Sequence, residues 1–99
     1  MTLEKTPQES ATILAQVMMP ADANNIGIVH GGNLLRLIDQ AAGVCAVRHA
    51  GATCVTASID RVYFIEPVHV GELVTLKASV NYAGTTSMEI GVRVEAEQV

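Results

Sequence analysis

From Ala21 to Asp39 the chain reads ADANNIGIVHGGNLLRLID, which gathers an amide, an imidazole, a glycine pair and a carboxylate in one short stretch. Asp39 is the leading candidate, because a carboxylate can take a proton from water as a general base or attack a carbonyl carbon itself. The sequence leaves both routes open. The ordinary alternative is a helix carboxylate paired with Arg36 or another neighbour. Gly31 and Gly32 follow His30 where a helix begins, so their N–H groups lack intrahelical acceptors and lie at the positive end of the helix dipole. Such donors can hold a developing oxyanion, or the glycines can simply make a tight turn. Asn24 carries an amide able to hold a water or a carbonyl. Asn25 is its rival by adjacency, and turn formation is the alternative for both. His30 can polarise a substrate or cap and pack under the loop.

Two sharper constellations fail, one on its helix face and one on spacing. Cys45 and His49 stand at i and i+4, but Cys45 falls on the apolar side of its helix, where a thiol is a structural residue. His30, His49 and His69 have no metal-ligand spacing, so no metal is expected. Cys45 and Cys54 form no C-x-x-C pair and are expected to be reduced and buried.

These residues need a helix and a sheet to hold them. Asn33 to His49 (NLLRLIDQAAGVCAVRH) has helical periodicity, with Gly51 as its stop. At 100° per residue, Leu34, Leu37, Ile38, Ala41, Val44 and Cys45 share a wide apolar face, and Asn33, Arg36 and Gln40 form a narrow polar one. Asp39 lies at the boundary, partly desolvated beside small residues. Ala21–Gly32 is a shaped loop of a length that usually has a function. Ala11–Met19 is a short strand ended by Pro20. Thr53–Ile65 is expected as a strand, and two alternating strands follow, Val74–Tyr82 and Met88–Ala96, joined by the turn Ala83–Ser87. Lys77, Arg61 and Arg93 can be phosphate contacts or the wet face of their strands.

The 99 residues make one domain at most, with residues 1–10 expected as a frayed terminus. A net charge of -4 and six scattered Lys and Arg argue against a nucleic-acid partner. No run reaches the roughly 20 apolar residues of a membrane span, and the first ten residues lack the apolar segment of a signal peptide. A cytoplasmic protein is expected, with no membrane partner. The core must be aliphatic, since there is no Trp and only one Phe.

The string D-A-N-x-x-G-x-V-H-G-G-x-L-L-x-x-I-D-x-A-A, here Asp22 to Ala42, resembles the hotdog-fold acyl-CoA thioesterases, in particular the cytosolic long-chain acyl-CoA hydrolase branch. Val55–Pro67 (VTASIDRVYFIEP) and Gly84–Ile90 (GTTSMEI) are similar to the same branch. The resemblance implies an α+β hotdog fold, one long central helix wrapped by a curved antiparallel sheet. It implies hydrolysis of acyl-CoA to free fatty acid and CoA, with Asp39 as the acid and Gly31 as the oxyanion donor. It further implies that Asn24 works with the acid of the other subunit, that Gly32, Thr86 and Ser87 line the coenzyme A groove, and that no dissociable cofactor is needed. The implied assembly is a homodimer, with a trimer of dimers as the larger form. Family members continue into a further strand, whereas this chain stops at Val99, leaving a sheet edge to be covered. Two other functions fit the same fold: a non-catalytic acyl-CoA sensor, and a hydroxyacyl dehydratase that would pair His30 with Asp39.

Overall fold

A computed structural model describes residues 5–60, 62 and 66–99. Helix α1 (Pro7–Ser10) precedes strand β1 (Thr12–Val17) and a 3₁₀ turn (Pro20–Asp22); helix α2 (Gly31–Ala50) and strands β2 (Glu72–Ala83) and β3 (Met88–Gln98) complete the order. The three strands form one antiparallel sheet in the order β1-β2-β3.

Helix α2 stops where the sequence says it should. Gly51 takes the left-handed conformation at φ 68, and its N–H donates to the Val47 carbonyl at 2.8 Å, the geometry that glycine adopts without a Cβ penalty. Arg48 and His49 in the last turn suit the negative end of the helix dipole. At the other end α2 begins at Gly31, two residues earlier than the apolar periodicity suggests, because the His30 carbonyl already accepts from Asn33 at 3.0 Å and Leu34 at 3.3 Å.

The core lies between one face of α2 and one face of the sheet. Leu34, Leu37, Ala41 and Cys45 pack on the alternate β2 residues Val74, Leu76, Ala78 and Val80, and Met18, Val29 and Val68 close the end nearest the helix N-terminus. Each fully buried Leu or Val contributes roughly 1.5–3 kcal/mol. The period-2 pattern of β2 and the period-3.6 pattern of α2 are thereby satisfied against each other.

Four expectations change. Thr53–Asp60 has no strand structure, and all of it but Cys54 is exposed. A strand exists only as part of a ladder, and among the described residues no segment lies alongside this one to supply it. The rest of the expected strand is Val62 and residues outside the described set. Residues 7–10, expected to fray, form a capped turn: Glu9 N–H donates to Thr6 Oγ1 and Thr6 N–H to Glu9 Oε2. That turn is tied down, since buried Ser10 bonds His49 Nδ1 at 2.8 Å and the Arg48 guanidinium reaches the Ala11 carbonyl and the Thr12 hydroxyl. Val44 leaves the core face and is 41% exposed, with Val47 at 43%. Cys54 is only half-buried, while Cys45 is fully buried and both are free.

Candidate active site

Asp39 sits on the face of α2 turned away from the sheet and is exposed, where the helical wheel suggested partial desolvation. Among the described residues it makes no ion pair, so the Arg36 alternative is not realised. Its partner is a hydroxyl: Thr56 Oγ1 donates to Asp39 Oδ1 at 2.5 Å. The bond orients the carboxylate, and Asp39 lines an open groove of about 630 Å³ together with Gly43, Val44 and Val47 of α2 and with Cys54 and Val55. Thr56 escaped the sequence reading. It lies inside Val55–Pro67, the segment singled out for its resemblance, but nothing local in that segment shows which hydroxyl will reach Asp39.

Asn24 builds its own loop. Its Oδ1 accepts from the N–H groups of Ile26 and Ile28, both at 3.0 Å, and its backbone N–H donates to the Ile28 carbonyl at 2.9 Å. Gly27 completes the turn at φ 82, and two further bonds, Val29 N–H to the Val68 carbonyl and Val70 N–H to the Gly27 carbonyl, fasten the loop to residues 68–70. The two accepted bonds settle which side-chain atom is the oxygen and leave the Nδ2 donors for other work. Asn25 is exposed and its side chain takes no part in this network.

Gly31 and Gly32 form the first turn of α2, where N–H groups have no intrahelical acceptor. A Cβ built on Gly32 meets nothing within 4 Å, so the approach is open. His30 is the N-cap through its backbone alone: its N–H donates to the Asp22 carbonyl at 3.0 Å, its side chain makes no cap bond, and the ring is exposed rather than packed under the loop. Nine residues on, Asp39 lies about 13.5 Å along the axis and on the opposite side of the helix. Within one chain, therefore, His30 and Asp39 do not meet.

Thr86 and Ser87 are exposed at the tip of the β2–β3 hairpin, where Gly84 N–H closes the turn on the Ser87 carbonyl at 2.7 Å. Thr12, which Arg48 touches at the C-terminal end of α2, pairs with Ala78, and Gly84, just past the end of β2, is six residues further on, about 20 Å away. A single chain therefore keeps this tip apart from the Asn24 loop, which lies at the opposite end beside Val68. Lys77 and Arg93 both face Glu95, at 3.3 Å each, on the outer side of the sheet; Arg61 lies outside the described residues. The Cys45–His49 idea has no basis in the fold, since His49 Nδ1 is held by Ser10 and Cys45 is sealed in the core.

Residues 26–99 match the family model described as the thioesterase superfamily, and the chain belongs to that family. It is 39% identical over 94 residues to the protein VdlD of Helicobacter pylori, covering 95% of this chain and 54% of that one. The chain thus spans about half the length of this relative. Solved structures of an acyl-CoA hydrolase from Staphylococcus aureus superpose with TM-scores of 0.91 and 0.92 at 38% identity, over 96% of this chain and 57–59% of those. They include variants with an aspartate, a threonine or an asparagine replaced by alanine, the asparagine variant in complex with coenzyme A. A hexameric acyl-CoA thioesterase superposes at TM-score 0.91 and 38% identity, over 96% of this chain and 61% of that one. The fold is that of the hotdog thioesterases, as the resemblance implied, with α2 as the long helix against the antiparallel sheet. No helix among the described residues is long and apolar enough to cross a membrane.

Proposed function

We propose that this chain is the thioester-hydrolysing domain of an acyl-CoA thioesterase, with Asp39 as general base or nucleophile, oriented by Thr56. The observation that carries the reading is the 2.5 Å bond from Thr56 to a carboxylate at the mouth of an apolar groove. The three positions replaced in the Staphylococcus aureus enzyme follow one another at intervals of 15 and 17 residues. From 24 to 39 is 15 positions and from 39 to 56 is 17, so Asn24, Asp39 and Thr56 fall at the same intervals.

Geometry argues for a site shared between two chains. Gly31 precedes Asp39 by eight residues, about 12 Å along α2. An oxyanion donor must lie about 3 Å from its oxygen, and a general base within hydrogen-bond reach of the water it activates. One carbonyl can meet both groups only if they come from different subunits. Asn24 and Gly31 of one subunit then face Asp39 and Thr56 of its partner in a homodimer, and a trimer of dimers repeats that unit.

In the general-base route, Asp39 Oδ2 takes a proton from water as the oxygen bonds to the thioester carbon. The carbonyl oxygen becomes an oxyanion held by the Gly31 N–H, with an Asn24 Nδ2 donor or His30 alongside. The C–S bond then breaks, and the departing CoA thiolate takes up a proton as the fatty acid is released. In the nucleophile route Asp39 attacks the carbon itself, the C–S bond breaks and CoA leaves as a thiolate that takes up a proton, and water then opens the mixed anhydride to fatty acid and the free Asp39 carboxylate. Gly32, Thr86 and Ser87 contact the coenzyme A portion, and neither route needs a dissociable cofactor.

A free-thiol release assay over acyl-CoAs of several lengths tests the reading. Wild type is expected to release CoA and Asp39→Asn to be inactive with an unchanged fold. A folded Asp39→Asn protein of wild-type activity overturns the assignment. Mixing inactive Asn24→Ala and Asp39→Asn chains is expected to restore turnover, because each mixed dimer has one intact site; no restoration overturns the shared site.

A further inference from the structure

Asn33 is the third residue of α2 and is half-buried. A side chain at that position ordinarily serves its own helix, accepting from the N-cap N–H as Glu or Gln does in a capping box. Asn33 does the reverse. Its Nδ2 donates at 2.8 Å to the carbonyl of Asp22, 11 residues back in the chain. The same carbonyl accepts from the N-cap N–H, that of His30, at 3.0 Å. Both lone pairs of one loop oxygen are thereby used, and the start of α2 is fastened to the loop rather than closed on itself.

This bond lies between the two groups that are to meet one carbonyl. On the loop side, Asp22 precedes Asn24 by two residues and is held in turn by Met19: its carboxylate accepts from the Met19 N–H at 2.8 Å, and its own N–H donates to the Met19 carbonyl at 2.9 Å. On the helix side, the Asn33 N–H donates to the His30 carbonyl at 3.0 Å. That carbonyl shares a planar trans peptide with the Gly31 N–H, which therefore points the opposite way, out of the start of the helix. Gly31 and Gly32 lie between the two residues so fastened, and glycine has the most backbone freedom to lose. The aim of the Gly31 N–H is set by His30 and Asn33, not by the glycines themselves.

Resting on the thioesterase reading, we infer that Asn33 is a positioning residue: through the Asp22 carbonyl it holds the Asn24 amide and the Gly31 N–H in register. It acts through those groups and not on the substrate. The residue type fits the task. An acidic side chain would suit the positive end of the helix dipole better, but it has no donor to offer a carbonyl. The amide forgoes that gain and supplies the donor.

Asn33→Asp separates positioning from helix stability, because it keeps the shape, favours the helix end and turns an acceptor toward the Asp22 carbonyl. Free-thiol release by the full chain is expected to show kcat lowered about tenfold, the order of one hydrogen bond, with KM and Tm close to wild type. By hydrogen exchange, the Ile28 and His30 N–H groups, bonded to Asn24 Oδ1 and the Asp22 carbonyl, are expected to exchange about tenfold faster, while the Ala41 and Cys45 amides keep wild-type rates. Co-expression with Asp39→Asn is expected to raise the rate above that of Asn33→Asp alone, since each mixed dimer has one undamaged site. Co-expression with Asn24→Ala is expected not to, because both changes then lie in the same half of the site. Wild-type kcat in Asn33→Asp, a lowered Tm with uniformly faster exchange, or recovery with Asn24→Ala overturns the inference. If wild type cleaves no thioester but the Ile28 and His30 amides alone exchange faster in Asn33→Asp, the hydrolase reading falls and the clamp stands. If wild type is active and neither kcat nor exchange responds to Asn33→Asp, the clamp falls by itself.

Discussion

The two sides of helix α2 are made from similar residues and end in opposite states. Leu34, Leu37, Ala41 and Cys45 are sealed against β2, none of them more than 5% exposed. A third of a turn around the same helix, Val44 and Val47 are exposed beside a carboxylate and a glycine that weaken the helix as an element. Hydrophobicity alone does not distinguish the sides, since both carry aliphatic residues. What separates them is whether the neighbouring segment forms a ladder. β2 is fixed between β1 and β3 and fills the space on its side, whereas Thr53–Asp60 arrives on the other side as an unpaired stretch and leaves a groove. One side supplies stability, and the other carries the Asp39–Thr56 bond.

Substitutions on each side sharpen this contrast. The largest effect is expected from Asp39→Asn, which removes the proton acceptor: turnover falls by about 10²–10⁴-fold, while the denaturation midpoint moves little because the residue is exposed. Leu37→Ala is the inverse case. It empties a position only 3% exposed and is expected to cost about 2–5 kcal/mol in urea unfolding, with kcat of the folded fraction retained. Inactivity of folded Leu37→Ala protein would break the division between the two sides.

Thr56→Val keeps the shape and deletes the donor to Asp39 Oδ1. It is expected to lower kcat by about tenfold, the order of one hydrogen bond to a charged group, with KM nearly constant and Thr56→Ser restoring the rate. Equal losses in Thr56→Val and Thr56→Ser would mean that the hydroxyl does not orient the carboxylate. Smallest of all, Lys77→Ala on the outer sheet face removes one exposed ion pair with Glu95 and is expected to change stability by less than about 1 kcal/mol and activity not at all.

Much of this was legible in the residues because backbone periodicity is a local property. Gly51 marks the end of α2, and the alternation in β2 and β3 identifies the hairpin and its inward residues within a few positions. The string around His30–Gly31–Gly32 and Asp39 carried the family resemblance, which the match to the thioesterase superfamily bears out. The helical wheel went wrong at Val44 because it ranks residues by polarity and has no knowledge of how wide a face the sheet can cover. A terminus judged polar from its first ten residues proved to be capped by Thr6 and Glu9 and tied to Arg48 and His49, contacts made across about 40 residues of chain.

What the sequence determined by itself is therefore the family, through the string from Asp22 to Ala42, and the elements α2, β1, β2 and β3, since these follow from local patterns. The tertiary structure alone decided that Thr56, 17 residues from Asp39, is its partner, that Asn24 spends its carbonyl oxygen on its own loop, and that Val44 and Val47 border open space. Each of these depends on which segments meet, and chain packing settles that over distances no local pattern spans. The 12 Å between Gly31 and Asp39 is by contrast local: it is the rise of the eight helical residues from one to the other.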